Sequence, residues 1–302
     1  MTSTLPNSPP FPSIMQEVSQ QVYPLSTLYV VATPIGNTGD ITLRALNVLA
    51  IADAVACEDT RNTAQLLHRY GLSKELIAAH EHNEREAADK LVSRLQSGQR
   101  IALVSDAGTP AVSDPGARIV DAVRTAGLRV MPLPGASAAV SALSAGGLLH
   151  DRFYFVGFLP VKARQREQVL EDLLGVPATL VFYEAPHRIA ETAAALAKVY
   201  GPDRRIVFAR ELTKLFEETH RCRLHEAEAW IAADSNREKG EYVLLVEGAA
   251  AAASADDAEA DRILSLLLAE LPVKQAAALA AQITGRKKNA LYERALQLKQ
   301  ET

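Results

Sequence analysis

Short apolar runs alternate with stretches of helical spacing through most of this chain, and that alternation restricts what it can fold into. Thr27–Thr33 (TLYVVAT), Asp53–Cys57, Leu76–His80, Arg100–Ser105 (RIALVS) and Leu128–Leu133 read as buried strands. Between and after them, helices are expected from Asp40 or Thr42 to about Ala50, over Thr60–Tyr70 and Asn83–Gln96, from Pro115 to about Gly127, and from Ala136 to Ala145. Strands joined through helices form a mostly parallel sheet covered on both faces. Ligands of such sheets sit beyond the carboxyl ends of the strands. Three strands here run into unusual loops: Pro34–Asp40, Asp106–Asp114 and Pro134–Ser137. These loops are expected to converge on one site.

Gly146-Gly147 breaks the rhythm, and a second α/β segment follows. Its strands are expected at Phe153–Val156, Thr179–Tyr183, Arg205–Ala209 and Tyr242–Val246, with Glu211–His220 as a polar connection. The expected organisation is a disordered Pro-rich tail over 1–25, an N-terminal α/β domain over 26–146 and a C-terminal α/β domain over 147–248. An Ala/Ser linker over 249–256 then leads to a helical, helix-turn-helix-like module over 257–302, with its turn at Thr284-Gly285. A length of 302 residues suits two domains and a module, at about 150 residues per domain.

Several classes are disfavoured. Two cysteines, Cys57 and Cys222, make no disulfide scaffold. No apolar run reaches the roughly 18 residues of a membrane span, and the N-terminus lacks a secretion signal, so a cytoplasmic enzyme is expected. The sequence has no G-x-G-x-x-G after a strand, no P-loop, no H-E-x-x-H and no G-x-S-x-G. His80 and His82 of His80-Glu81-His82 share a face if the strand continues, but no third ligand is visible at a sensible spacing, so no metal is expected. The net charge of −4 gives no basic excess, and a polyanionic partner would need locally clustered basic residues.

The second loop, Ser105–Gly116 (SDAGTPAVSDPG), says most about the ligand. No Lys or Arg lies between Asp106 and Gly116, so its backbone groups suit an uncharged or zwitterionic ligand better than a polyphosphate. Asp114, just before Pro115, is expected to cap the following helix. Gly36 and Gly39 in the first loop allow close backbone approach, and Ser137 in the third could cap a helix or touch a ligand.

Six motifs in order, namely SDAGTPAVSDPG (105–116), PLPGAS (132–137), GFLP (157–160), FYEAPHR (182–188), ARELTK (209–214) and KGEYVLLVEG (239–248), resemble the tetrapyrrole (corrin/porphyrin) methylase superfamily. The resemblance covers about residues 26–302 and is strongest to the branch that methylates a ribose of small-subunit ribosomal RNA. It implies two α/β domains with S-adenosyl-L-methionine in the cleft between them, a homodimer, and transfer of methyl to the 2′-hydroxyl of a cytidine in the decoding region. The partner implied is small-subunit ribosomal RNA or the assembled small subunit. The alternative is a methylase of a small tetrapyrrole precursor.

Residue by residue, the resemblance assigns cofactor contacts to Pro34 and Ile35, to Gly108, Thr109, Pro110 and Val112, to Pro134, Gly135 and Ala136, and to Tyr183, Ala209 and Tyr242. Thr109 stands where the superfamily usually has Asp. A ribose hydroxyl is a poor nucleophile, so a nearby base would help. Asp106, Glu184 and His187, all beside strand ends, are the candidates, and Glu58-Asp59 is a further acidic pair. Arg188, Arg210 and Lys214 read as phosphate or structural contacts. RNA contacts are expected from Arg61, from Lys162, Arg164 and Arg166, and from Arg286, Lys287 and Lys288.

Overall fold

The computed structural model describes residues 11–80, 83–249 and 255–300. Two five-stranded sheets and their helices form one compact unit, made of the described residues within 11–174 and 178–247. Glu81 and His82 lie outside the described residues, so the His-Glu-His motif is not placed.

The first sheet comprises β1 (Thr27–Val31), β2 (Ala54–Cys57), β3 (Glu75–Ala78), β4 (Arg100–Val104) and β5 (Arg129–Leu133), in the order β3-β2-β4-β1-β5. Every pairing is parallel. The crossovers are α2 (Leu43–Ile51), α3 (Thr60–Arg69), α4 (Glu84–Gln96) and α5 (Ala117–Thr125), with α6 (Ala138–Gly146) after β5. Period-two alternation sends side chains into two cores. Tyr29, Val31, Val55 and Val104 pack with Val48 and Leu49 of α2 and Leu67 of α3. Leu28, Ala54, Ile101 and Leu103 pack with Leu91 and Leu95 of α4 and Ile119 and Val123 of α5. Each fully buried Leu, Ile or Val contributes roughly 2 kcal/mol of transfer free energy.

The N-terminal segment differs from the expected disorder. Phe11–Ser19 forms a helix, α1, and Tyr23 beyond it is buried in the first of these cores. The Tyr23 hydroxyl donates to Val18 O at 2.9 Å, and Arg100 Nε donates to Tyr23 O at 2.9 Å. Val18 and Tyr23 carry this packing, too few residues to register as a period in a Pro-rich stretch.

The second sheet comprises β6 (Phe153–Phe158), β7 (Thr179–Glu184), β8 (Arg205–Arg210), β9 (Glu218–Arg223) and β10 (Tyr242–Val246), in the order β6-β7-β10-β8-β9. Only β6 and β7 run parallel. α7 (Ala163–Asp172), α8 (Ile189–Tyr200) and α9 (Leu224–Ala232) accompany it. β9 falls partly in the segment expected to be a polar connection. Its sequence, ETHRCR, carries little apolar signal, and it forms by pairing along the outer edge of β8.

The described residues within 175–177 and 248–300 form a separate compact unit. Its helices α10 (Ala255–Glu270), α11 (Val273–Thr284) and α12 (Lys288–Gln300) enclose Ala260, Leu264, Ala277, Ala280, Leu291 and Ala295. Gly285, at φ +71°, ends α11 in the left-handed region that a side chain would disfavour. Arg294 of α12 and Asp261 of α10 are joined at 2.7 Å.

Candidate active site

All three special loops leave the carboxyl ends of β1, β4 and β5, and they are fastened to one another. Thr33 N–H donates to Gly108 O at 2.8 Å, and Gly108 N–H returns to Thr33 O at 3.0 Å. The Thr33 hydroxyl reaches Ser105 O at 3.0 Å. Thr109 Oγ1 donates to Ala136 O at 3.1 Å, which ties the second loop to the third. Gly135 lets the third loop lie on the first: a Cβ there would stand 2.7 Å from Ala32 Cβ.

The second sheet presents the opposite wall. Register places Tyr183 and Ala209 on either side of Val243, near the carboxyl ends of β7 and β8. Phe158 and Phe155 stand edge-on to the Tyr183 ring, at 5.6 and 5.1 Å. Between these walls lies a cavity of about 410 Å³. The loops contribute Ile35, Gly108, Thr109, Val112, Ser113 and Asp114, and the sheet contributes Phe158, Tyr183, Ala209, Tyr242 and Val243. Glu184 and Glu241 also border it, and none of the described lining residues is Lys or Arg. Aromatic and aliphatic walls with carboxylates and no cation suit a nucleoside bearing positive charge, not a polyphosphate.

Seven of the expected cofactor residues line this cavity: Ile35, Gly108, Thr109, Val112, Tyr183, Ala209 and Tyr242. Tyr242 does so from a buried position, with its hydroxyl donating to Arg237 O. Pro34, Pro110, Pro134, Gly135 and Ala136 are not among the lining residues, and of these Gly135 and Ala136 brace the loops. Thr109, in the place of the usual Asp, serves as the fastening described above.

The expected bases are not brought together. Asp106 is exposed and turned to the start of α3, accepting from Asp59 N–H at 3.3 Å and Asn62 Nδ2 at 2.7 Å. His187 is exposed and does not line the cavity. Glu184 borders the cavity, but its side chain is buried and fully engaged. Ala185 N–H reaches its Oε1 at 2.8 Å, Thr192 Oγ1 its Oε2 at 2.6 Å, and Arg188 Nε stands 3.4 Å away. Arg188 also donates to Leu159 O at 2.7 Å, so this pair holds the GFLP segment.

Asp114 corrects the sequence reading. The start of α5 is capped by Glu84 instead, whose Oε1 accepts from Gly116 N–H at 2.8 Å and Arg118 N–H at 3.1 Å. Asp114 lines the cavity, where burial, with Glu58 and Asp106 nearby, raises its carboxyl to about 6. Ser113, Phe158 and Glu241 also line the cavity and carry no expectation from the sequence, although all three lie in the quoted motifs.

Lys214 and Arg210 have structural partners. Lys214 Nζ bridges Glu211 and Glu241, each at 2.9 Å. Gly36 is required beneath it, because a Cβ there would meet Lys214 Cγ at 2.5 Å. Arg210 donates to Lys239 O at 2.8 Å and Asn236 O at 2.6 Å. Of the expected RNA contacts, Lys162, Arg164, Lys287 and Lys288 are exposed. Arg61 is exposed beside Asp59, the cap of α3, at 2.8 Å. Arg166 is a correction: helical spacing turns it inward from α7, where it is buried and paired with Glu191 of α8 at 3.3 Å.

Comparison with known proteins matches residues 27–228 to the Tetrapyrrole (Corrin/Porphyrin) Methylases family and residues 254–299 to the RsmI C-terminal HTH domain. The methyltransferase CobJ superposes with a TM-score of 0.56 at 22% identity, covering 74% of this chain and 94% of that one. A uroporphyrin-III C-methyltransferase from Thermus thermophilus, solved with S-adenosyl homocysteine, gives a TM-score of 0.51 at 20% identity over 73% and 97%. These two show the shared fold. Ribosomal RNA small subunit methyltransferase I of Pseudomonas aeruginosa is 53% identical over 90% of this chain and 97% of its own length. The protein of that name from Escherichia coli O157:H7 is 52% identical over 89% and 94%. The chain therefore belongs to the ribosomal RNA small subunit methyltransferase I family, within the tetrapyrrole methylases.

Proposed function

We propose that this protein is an S-adenosyl-L-methionine-dependent methyltransferase acting on the ribose 2′-hydroxyl of a cytidine in the decoding region of small-subunit ribosomal RNA. The observation that carries the reading is the cation-free cavity at the carboxyl ends of β1, β4 and β5, in a chain more than half identical to relatives named for that RNA. Its residues fit the cofactor. Ile35, Gly108, Thr109 and Val112 offer backbone groups and small apolar surface to an adenosyl group. Tyr183, Ala209 and Val243 supply the facing wall, and the Asp114 carboxylate complements a sulfonium charge.

When bound, the sulfonium supplies the methyl group, which passes in line to the ribose oxygen. The chain's own task is alignment and exclusion of water, and the mutually fastened loops serve both. Phe158, at the cavity and well exposed, offers a face on which a base can stack. Lys162, Arg164, Lys287 and Lys288 offer charge to RNA phosphates. A homodimer fits the exposed Phe153 and Tyr154 on the outer strand β6. No helix among the described residues is long and apolar enough to cross a membrane; we place the enzyme in the cytoplasm, where its ribosomal substrate is.

The test is calorimetric titration with S-adenosyl-L-methionine, followed by incorporation of labelled methyl into small subunits, with a porphyrin precursor as the control acceptor. Binding at micromolar affinity and label at a single cytidine are expected. Label in the porphyrin precursor and none in the RNA would overturn the reading.

A further inference from the structure

Asp114 caps no helix, and among the described residues no ion pair holds it. Glu84 caps α5 in its place. The loop that carries Asp114 is held in unfavourable backbone states: Ala111 and Ser113 have φ of 67° and 60°, although neither is glycine. Such states persist only where their surroundings impose them, and they concentrate at functional sites. Across the cavity, Gly157 makes room for this loop, since a Cβ there would stand 2.9 Å from Ser113 Oγ.

A second cavity of about 360 Å³ adjoins the first. Among the described residues, only Ser113 and Asp114 line both. The second cavity is also lined by Arg118, whose side chain is 78% exposed and held only loosely, 3.8 Å from Glu84. One carboxylate thus stands in the partition between a cavity suited to a cationic nucleoside and a smaller one with a cation at its rim.

We propose that Asp114 accepts the proton of the acceptor 2′-hydroxyl, and that the smaller cavity seats the acceptor nucleotide with Arg118 towards its phosphate. This rests on the methyl-transfer reading above. As the ribose oxygen bonds to the methyl carbon, the carbon–sulfur bond breaks and its electron pair stays on sulfur, which loses its positive charge. The hydroxyl proton passes to the Asp114 carboxylate and from there to water.

The surroundings suit Asp114 to that task. Burial raises its carboxyl first, Glu58 and Asp106 add to the effect, and a hydrogen bond from Ser105 opposes it, to give about 6. Tyr183 faces it with a phenol that burial pushes up, so it is uncharged near neutral pH. Glu84 and Arg118 face it from α4 and α5. A base in this range is ionised at neutral pH and still proton-seeking.

Asp114→Asn in the full chain tests the proposal. Losing this carboxylate should weaken cofactor binding by no more than about tenfold, while methyl incorporation into small subunits at saturating cofactor should fall by about 100-fold or more. The wild-type rate should climb with pH through about 6 and level off, a limb that the variant lacks. A readout independent of turnover follows from the same group. Because its carboxyl is raised in the folded protein, ionisation opposes folding, and stability from this group declines as pH rises through about 6. The Asn variant should therefore melt above wild type at pH 8, with the difference vanishing towards pH 4. Arg118→Ala should raise the KM for subunits several-fold and leave cofactor affinity alone.

An Asn variant within threefold of wild-type turnover overturns the role of Asp114 while leaving the enzyme's function intact. A wild type that binds cofactor but never labels small-subunit RNA overturns the functional reading, and this proposal with it. Should the Asn variant not fold, the wild-type profile decides: a level rate from pH 5 to 8 overturns the proposal.

Discussion

At the scale of single residues, the charged groups that border the cavity divide into those with a full set of partners and one without. Glu184 is fully engaged by Thr192, Ala185 and Arg188. Removing one partner of a buried ion pair strands the other, so Glu184→Ala should destabilise the protein by about 3–5 kcal/mol, read from urea unfolding. Thr192→Val removes one hydrogen bond to the same carboxylate and should cost about 1–2 kcal/mol. Gly135→Ala should separate the first and third loops, costing about 1–3 kcal/mol and weakening cofactor binding roughly tenfold by calorimetry. The motif positions were legible because their small residues, prolines and glycines encode loop geometry directly. The role of Asp114 was not. An Asp before Pro at a helix start is how a cap is usually spelled, and nothing local reveals that Glu84 of α4 has taken that place. Arg166 shows the same limit, since its inward turn depends on where α7 begins and on Glu191 across from it.

Among the elements, the first sheet follows from its sequence with little loss. Its three inner strands, β1, β2 and β4, are short, buried on both faces and separated by helices with clear apolar spacing, so pattern and packing agree. α1 and β9 were missed for opposite reasons. α1 is docked chiefly by one of its residues and by Tyr23 beyond it. β9 is polar along its length and exists because β8 offers it a partner, a long-range cause with no trace in its own residues. The cap of α5 gives a test at this scale. Glu84→Ala removes the acceptor for two backbone N–H groups and should cost about 1–3 kcal/mol. Because α5 follows directly from the second loop, its start should fray, and faster amide exchange at Gly116 and Arg118 should report it.

For the whole molecule, a net charge of −4 says little about an RNA partner, because the charge that matters is local. Lys287 and Lys288 stand together where α12 begins. Replacing both with Ala should weaken binding to small subunits and flatten the plot of log affinity against log salt by about one for each phosphate no longer neutralised, with cofactor affinity unchanged. Phe153→Glu should shift the sedimentation of a dimer towards monomer without removing cofactor binding. Behind that expectation is an asymmetry of the second sheet. Its β9 rim carries Glu218, Arg221 and Arg223, side chains that turn away a further strand. The β6 rim, FYFVGF, has no charged residue and shows Phe153 and Tyr154 to solvent. A sheet with one guarded rim and one open rim takes on a single neighbour, and that same contact uses up the neighbour's open rim. For the proposed homodimer this means that growth into a ribbon would be blocked after one step and assembly by this route would close at two.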